Sequence, residues 1–205
     1  MEVLYSGHGG STACEADLWA TADLLAQLGP ASYVGYSMGA RMVLHTAVAH
    51  PELVARMVLV SGTAGIEDPD ERAQRRAADE ALADRIEAIG VPAFLDEWLA
   101  LPLFAHLPPD AHDRAERERN TAAGLASSLR LAGTGTQRPL WDRLGGVQAP
   151  TLVVTGHLDA KFDQLGDRLA ANLPSAERLR LRGGHTVHRE DPDAPTRLAA
   201  WLAAP

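Results

Sequence analysis

The sequence predicts an α/β fold in which a mostly parallel sheet is flanked by helices. Short apolar runs at 58–60 and 151–155 are rich in β-branched residues, which indicates buried strands. Residues 178–182 alternate between arginine and leucine, which indicates a final strand. A helical pattern over 39–49 precedes the first of these runs, and strands that alternate with helices are typical of a parallel sheet.

The most informative motif occupies residues 35–39 and reads Gly-Tyr-Ser-Met-Gly. It lies between a strand that ends at Val34 and the helix predicted over 39–49. A serine between two glycines at a strand-to-helix turn is typical of a nucleophile elbow. We expect both glycines to be needed because the turn is too sharp for a side chain on either flank. The Ser37 hydroxyl is then held above the sheet edge, at the start of the helix.

A serine hydroxyl is too weak an acid to react unaided, so it needs a base, and the base needs an orienting partner. Asp159 follows the strand predicted at 151–155, and His185 follows the strand predicted at 178–182. The carboxyl ends of parallel strands meet at one edge of a sheet, so we expect Ser37, Asp159 and His185 to form a triad there. The order Ser, Asp, His along the chain is that of the α/β-hydrolase fold, which is therefore the predicted fold.

Simpler interpretations of these residues remain open. Asp159 has a residue type that is common in turns, and His185 and His188 have the spacing of a surface pair or a metal pair. The metal interpretation is disfavoured because the sequence after His188 is typical of a loop and helix cap, and no H-E-x-x-H motif occurs. Since nothing resembles a nucleotide-binding loop or a zinc cluster, we expect no metal and no cofactor.

Bulk properties limit the class of protein. The chain has 205 residues, of which 46% are hydrophobic, enough for one sizeable core. A net charge of −8 argues against nucleic acid and against anionic membrane surfaces as partners. The single cysteine, Cys14, favours a reducing compartment, and we find neither a membrane-spanning run nor a signal peptide. We therefore expect a cytoplasmic protein; the sequence does not determine its oligomeric state, and a monomer is compatible with it.

The composition changes in the middle of the chain. Residues 67–139 are predicted to be a helical insertion, with one helix over 68–89, another that starts at Pro92 and a third beyond the two prolines at 108–109. The flanking segments 1–66 and 140–205 are predicted to form the sheet-containing core. In an α/β-hydrolase, such an insertion is expected to lie over the active site as a cap that excludes water.

Several segments together resemble a specific family. They lie at 6–11, 35–41, 72–75 through Trp98, 102–104, 156–162 and 184–192. In this order they are similar to the 2-succinyl-6-hydroxy-2,4-cyclohexadiene-1-carboxylate synthases of menaquinone biosynthesis. The resemblance implies that Ser37, Asp159 and His185 are catalytic and that the backbone N–H of Met38 serves the oxyanion hole. It also implies a set of substrate-binding residues: Tyr36, Arg41, Arg75, Trp98, Phe104 and Arg117, with Arg119 as the alternative to Arg117.

The resemblance implies an elimination in which removal of a ring proton expels pyruvate from a small polycarboxylate substrate. Ser37 would share its proton with His185 and act as the base, while Asp159 would stabilise the imidazolium. Arginine suits the carboxylates because its planar fork binds them bidentately and keeps its charge. The alternative for the arginines of the insertion is a solvated helix face, because they alternate with acidic residues at i,i+3 and i,i+4 spacing.

The sequence departs from the family at its start. In the family, a first strand is followed by a His-Gly loop that supplies one oxyanion-hole N–H, and we expect no counterpart of this segment here. Residues 1–5 are a predicted strand and 6–11 are interpreted as a later glycine-rich loop, with the His-Gly loop itself as the alternative for 8–10. Either the first strand takes the place of the absent one, or the chain is a shortened form. Three hypotheses follow from the residues: the lyase, a serine carboxylic-ester hydrolase with the same triad, and an inactive truncated homologue.

Overall fold

The computed structural model describes residues 8–9 and 15–204. The strand predicted at 1–5 and most of the loop predicted at 6–11 lie outside the described residues. The described chain contains twelve α-helices and β-strands, in the order α1 (Leu18–Ala26), β1 (Ala31–Tyr36), α2 (Met38–Ala49), β2 (Val54–Val60), α3 (Pro69–Leu99), α4 (Arg114–Arg117), α5 (Ala122–Ala132), β3 (Thr151–Gly156), α6 (Ala160–Asn172), β4 (Ala176–Leu181), α7 (Val187–Glu190) and α8 (Ala194–Ala203). Short 3-10 helices are found at Pro51–Leu53, Pro102–Phe104, Pro109–Ala111 and Trp141–Gly146.

The described chain divides into two compact units. The helical unit contains Gly65–Leu101, His112–Pro139 and the described residues up to Thr21. The sheet unit contains Ala22–Ala64, Pro102–Ala111 and the chain from Leu140 onward.

The sheet unit has four described strands in the order β1-β2-β3-β4, and every neighbouring pair is parallel. Tyr36 pairs with Val60, Val60 with Val154, and Gly156 with Leu181, so the carboxyl ends of all four strands lie at one edge. The predicted α/β fold with a parallel sheet flanked by helices is confirmed. The register matters for function because the loops that follow β1, β3 and β4 start from that common edge.

The core of the sheet unit forms around its central strands. All six residues of β3 and the last four of β2 are buried, as expected for parallel strands covered on both faces. Their side chains pack with Val187 of α7 and with Leu198 of α8. Strand β1 has only β2 as a neighbour among the described strands, and Val34 on it is 53% exposed.

The helical unit is built on α3 and α5. Asp68 caps α3 by accepting hydrogen bonds from the backbone N–H groups of Asp70 and Glu71, at 2.9 and 2.8 Å. Gly90 interrupts the helix with φ 76° and ψ 167°, so α3 consists of two helical pieces, the second beginning near Pro92 as the sequence predicts. Phe94 and other apolar residues of the second piece pack with α5. None of the helices in the described part of the chain has the length and apolar character needed to span a membrane.

Candidate active site

Ser37 lies at the turn between β1 and α2. Its backbone N–H donates to the carbonyl of Val60 at 2.8 Å, which continues the sheet ladder one residue past β1. Its φ of 50° and ψ of −106° reverse the chain into α2, and a non-glycine residue at positive φ carries strain that persists only where the surroundings enforce it. This is the geometry expected of a nucleophile elbow.

The two glycines of the elbow differ in their surroundings. A Cβ atom on Gly35 would overlap the carbonyl group of Gly39 and lie 2.6 Å from the backbone nitrogen of Ala40. A Cβ atom on Gly39 would meet no atom of residues 8–9 and 15–204 within 4 Å. The expectation that both flanks need glycine for lack of space is therefore wrong for Gly39, because the helix turns its Cβ position toward open space.

His185 is hydrogen-bonded on both sides of its ring. Its Nε2 atom lies 3.0 Å from the Oγ atom of Ser37, and its Nδ1 atom lies 2.7 Å from the Oδ2 atom of Asp159. Both are ordinary hydrogen-bond distances. If Nδ1–H donates to the Asp159 carboxylate, Nε2 is left as an acceptor for the Ser37 hydroxyl proton. His185 is only 2% exposed. The structure thus brings the three predicted catalytic side chains into one hydrogen-bonded series.

Asp159 holds two roles at once. Its Oδ2 atom faces His185, while its Oδ1 atom accepts from the backbone N–H of Phe162 at 3.3 Å and caps α6. The two interpretations of Asp159, as a local backbone-capping residue and as the partner of His185, are therefore compatible. The cap holds the carboxylate at the start of a rigid helix, which limits its movement relative to His185.

Aromatic rings surround the imidazole of His185. The Phe162 ring meets it edge-on at a centroid distance of 4.3 Å, and the Tyr36 ring lies 5.4 Å away. These contacts restrict the access of water to the ring. Sequence reasoning assigned a site role to Tyr36 but missed Phe162; the available signal was an aromatic residue three positions after Asp159, at the start of a helix.

His188 is a second imidazole next to the site. Its ring lies 4.4 Å from that of Tyr36, and its Nδ1 atom is buried without a hydrogen bond within the described part of the chain. Burial lowers the pKa of His188 to about 4, and the nearby His185 acts in the same direction while Glu190 opposes it. His188 is therefore neutral at pH 7. Residues 8–9 and 15–204 contain no cluster of three or more ligating side chains placed to hold a metal ion.

Three further predicted site residues belong to the sheet unit. Met38 is the first residue of α2, directly after Ser37. Arg41 lies one turn further along α2, is 6% exposed, and its backbone N–H donates to the Ser37 carbonyl at 3.3 Å. Phe104 is buried in the 3-10 helix Pro102–Phe104. Their parts in binding stay predictions.

The other predicted substrate contacts belong to the helical unit. Arg75 donates from Nε to the buried carboxylate of Asp79 at 2.7 Å, an i,i+4 ion pair of the kind that the solvated-face alternative predicts. The Trp98 ring lies 5.6 Å from that of Phe94. Arg117 donates from Nε to the His112 carbonyl at 2.8 Å. The role of these three side chains toward a substrate stays a prediction.

Comparisons with known proteins place these features in a family. The sequence profile of the alpha/beta hydrolase family matches residues 3–198. A Bacillus subtilis protein that carries the name 2-succinyl-6-hydroxy-2,4-cyclohexadiene-1-carboxylate synthase is 39% identical over 166 residues, which cover 78% of this chain and 60% of that protein. A Klebsiella pneumoniae synthase of the same name is 30% identical over 97% of this chain and 81% of its own length.

Solved structures give the same picture of the fold. The structure of MenH from S. aureus superposes with a TM-score of 0.88 at 30% identity, covering 96% of this chain and 80% of that chain. A thermophilic esterase from Thermogutta terrifontis superposes with a TM-score of 0.80 at 23% identity, over 96% of this chain and 76% of the esterase. At that identity, the esterase indicates a shared fold.

Proposed function

The chain belongs to the alpha/beta hydrolase family, and from this premise we propose that it is a carbon–oxygen lyase with a Ser-His-Asp triad. The proposed reaction is the elimination of pyruvate from 2-succinyl-5-enolpyruvyl-6-hydroxy-3-cyclohexene-1-carboxylate, which leaves 2-succinyl-6-hydroxy-2,4-cyclohexadiene-1-carboxylate, a step of menaquinone biosynthesis. The observation that carries the proposal is the hydrogen-bonded series Ser37–His185–Asp159, in a chain whose relatives are named for this product.

The reaction needs a base that removes a proton from a ring carbon. The C–H electrons form one ring double bond, the existing ring double bond shifts by one position, the C–O bond that joins the enolpyruvyl group to the ring breaks, and the leaving enolate takes up a proton to become pyruvate. Ser37 Oγ, 3.0 Å from His185 Nε2, would pass its own proton to the imidazole as it accepts the ring proton. Asp159, 2.7 Å from the other ring nitrogen, would stabilise the imidazolium that forms.

The surroundings of the triad suit such a base. His185 is almost fully buried and is flanked by the rings of Phe162 and Tyr36, so few water molecules compete for the proton. Arg41 supplies a buried positive charge on the first turns of the helix that starts behind Ser37. A substrate with several carboxylates requires such a cation, because a buried carboxylate is costly unless it is paired.

The proposal is tested by adding the enolpyruvyl substrate to the purified chain and measuring pyruvate release with a coupled dehydrogenase. We expect turnover in the wild type and a loss of about 10³-fold or more in kcat for Ser37→Ala, since the base is removed. The diene product is followed independently by its ultraviolet absorbance. A folded wild-type chain that releases no pyruvate would overturn the lyase assignment.

Ester hydrolysis is a second candidate, favoured by the same hydrogen bond between Ser37 and His185. In that reaction the Ser37 oxygen would attack an ester carbonyl, and the Met38 N–H would stabilise the resulting oxyanion. Incubation with a p-nitrophenyl ester followed by mass spectrometry separates the two candidates. An acyl group on Ser37 together with fast ester turnover supports the hydrolase, whereas pyruvate release without any acyl adduct supports the lyase.

A further inference from the structure

The loop 183–186 presents His185 to the site, and its position depends on contacts outside the triad. It connects β4 to α7 and begins at Gly183, whose φ of 136° is a backbone conformation that favours glycine. Gly184, His185 and Thr186 are all buried. Such a loop lacks the continuous backbone hydrogen bonds of a helix or strand. It therefore needs other partners if the His185 ring is to stay within a few tenths of an ångström of its reactive position.

Glu190 holds the residues on either side of His185. One oxygen of its carboxylate, Oε2, accepts from the backbone N–H of Gly184, and the other, Oε1, accepts from the hydroxyl of Thr186. Because the acceptor is a carboxylate, both are charge-assisted hydrogen bonds, which are stronger than neutral ones. The carboxylate also lies so close to Gly183 that a Cβ atom there would overlap it. Glu190 is the last residue of α7, so the helix that follows the loop also anchors it.

Ser61, which follows β2, bonds the backbone of His185 itself. Its hydroxyl donates to the His185 carbonyl at 2.8 Å, and the side chain is completely buried. Ser61 follows β2 directly, and its backbone N–H donates to Val154 at 2.9 Å, so it is fixed to the sheet. Its φ of 49° is a second strained non-glycine conformation at the same sheet edge as Ser37. Backbone strain at a buried serine whose hydroxyl faces the site loop is a reason to assign it a functional role.

We propose that Glu190 and Ser61 are positioning residues, which hold three consecutive residues of the loop so that the His185 ring stays between Ser37 and Asp159. This inference rests on the proposed catalytic role of the triad. Neither side chain touches the reacting atoms in this assignment; each acts through the backbone or hydroxyl groups of residues 184–186. A shift of about 1 Å in a catalytic group costs on the order of 100-fold in rate, which sets the size of the expected effect.

The test measures the reactivity of Ser37 directly, with a fluorophosphonate reagent. The Ser37 oxygen bonds to phosphorus, fluoride leaves, and the hydroxyl proton passes to His185, so the rate reports the Ser37–His185 geometry with no dependence on the natural substrate. We expect Glu190→Ala to lower this rate about 100-fold and Ser61→Ala to lower it about tenfold. Glu190→Gln, which keeps one acceptor oxygen, is expected to recover part of the loss. Glu52→Ala, which removes an exposed carboxylate of the sheet unit, serves as the matched control.

A second readout separates positioning from general loss of structure. In folded protein, the Nδ1–H of His185 that is bonded to Asp159 gives a low-field proton resonance, which we expect to broaden or shift in Glu190→Ala and Ser61→Ala but not in Glu52→Ala. In the elimination assay, kcat is expected to fall while KM stays within about threefold. Folded Glu190→Ala and Ser61→Ala with wild-type phosphonylation rates and an unchanged resonance would overturn the inference. If the wild type reacts with the fluorophosphonate but releases no pyruvate, the lyase assignment fails. The phosphonylation rates of the variants relative to the wild type still decide whether Glu190 and Ser61 position His185.

Discussion

The Nε2 atom of His185 lies 3.0 Å from the Oγ atom of Ser37, although 148 positions separate the two residues along the chain. The parallel register of β1 to β4 produces this proximity, because the strands that precede Ser37, Asp159 and His185 end at one edge of the sheet. No local interaction could bring these groups together.

Asp159→Asn is expected to remove activity while the fold is kept. The amide oxygen of asparagine can still accept from Phe162 N–H and cap α6, but the amide NH₂ would face Nδ1 of His185 and favour the ring tautomer with its proton on Nε2. That tautomer cannot accept the Ser37 proton, and we expect kcat to fall by about 10⁴-fold. Asp142→Asn, at an exposed aspartate of the same unit, is the control for kcat and for the thermal unfolding midpoint. Near-normal kcat in Asp159→Asn would argue against a triad.

Gly35→Ala and Gly39→Ala are expected to have opposite effects on stability. The added methyl group at Gly35 would overlap the backbone of Gly39, so we expect a loss of about 2–4 kcal/mol in the free energy of unfolding. At Gly39 the methyl group meets open space on a helix, where alanine is favoured over glycine by up to about 1 kcal/mol. Denaturant unfolding of the two variants measures both values. Equal destabilisation would contradict the difference in their surroundings.

Arg117→Ala and Arg119→Ala test the prediction that Arg117, with Arg119 as the alternative, binds substrate. The Arg119 side chain is 61% exposed and pairs with Glu116 at 2.7 Å, whereas Arg117 is half-buried and its Nε atom bonds the His112 carbonyl. A solvated surface pair contributes little, so we expect Arg119→Ala to leave KM within about twofold. Loss of a charged contact to a substrate carboxylate at Arg117 would raise KM by roughly 10-fold or more. Steady-state pyruvate release provides both constants, and the reverse order would assign the contact to Arg119.

His188 is expected to make the protein less stable in mild acid. Burial lowers the pKa of His188 from 6.5 to about 4, so between these values the unfolded chain binds a proton that the folded chain does not. The free energy of unfolding therefore falls as the pH drops from 6.5 to 4, by up to about 3 kcal/mol from this residue. His188→Gln lacks this titration, so the stability advantage of the wild type over the variant is expected to shrink across that range. Denaturant unfolding at pH 7, 5.5 and 4 measures this difference in the free energy of unfolding; a constant difference would show that the pKa of His188 is the same in the folded and unfolded chain.

The order of residues alone determined the fold class and the position of the strand-to-helix turn at Ser37. Residue type and periodicity specify a strand or helix locally, so the strands at 58–60, 151–155 and 178–182 and the turn at Ser37 were predictable. The interruption of α3 near Pro92 was also predictable, because proline and glycine act on their own backbone. Chain order also pointed to Asp159 and His185, since each follows directly after a predicted strand.

The tertiary structure decided what each of these side chains touches. It showed that no described residue crowds a side chain at Gly39, that Arg75 is paired with the buried Asp79, and that the Nδ1 atom of His188 is buried, which lowers the pKa of that residue. It also brought Ser61, after β2, and Glu190, at the end of α7, into hydrogen bonds with the loop that carries His185, which no pattern in the sequence indicated. The physical reason is that burial and hydrogen-bond partners depend on which distant segments pack together, and that packing follows from strand register and helix docking, with no periodic trace in the chain itself.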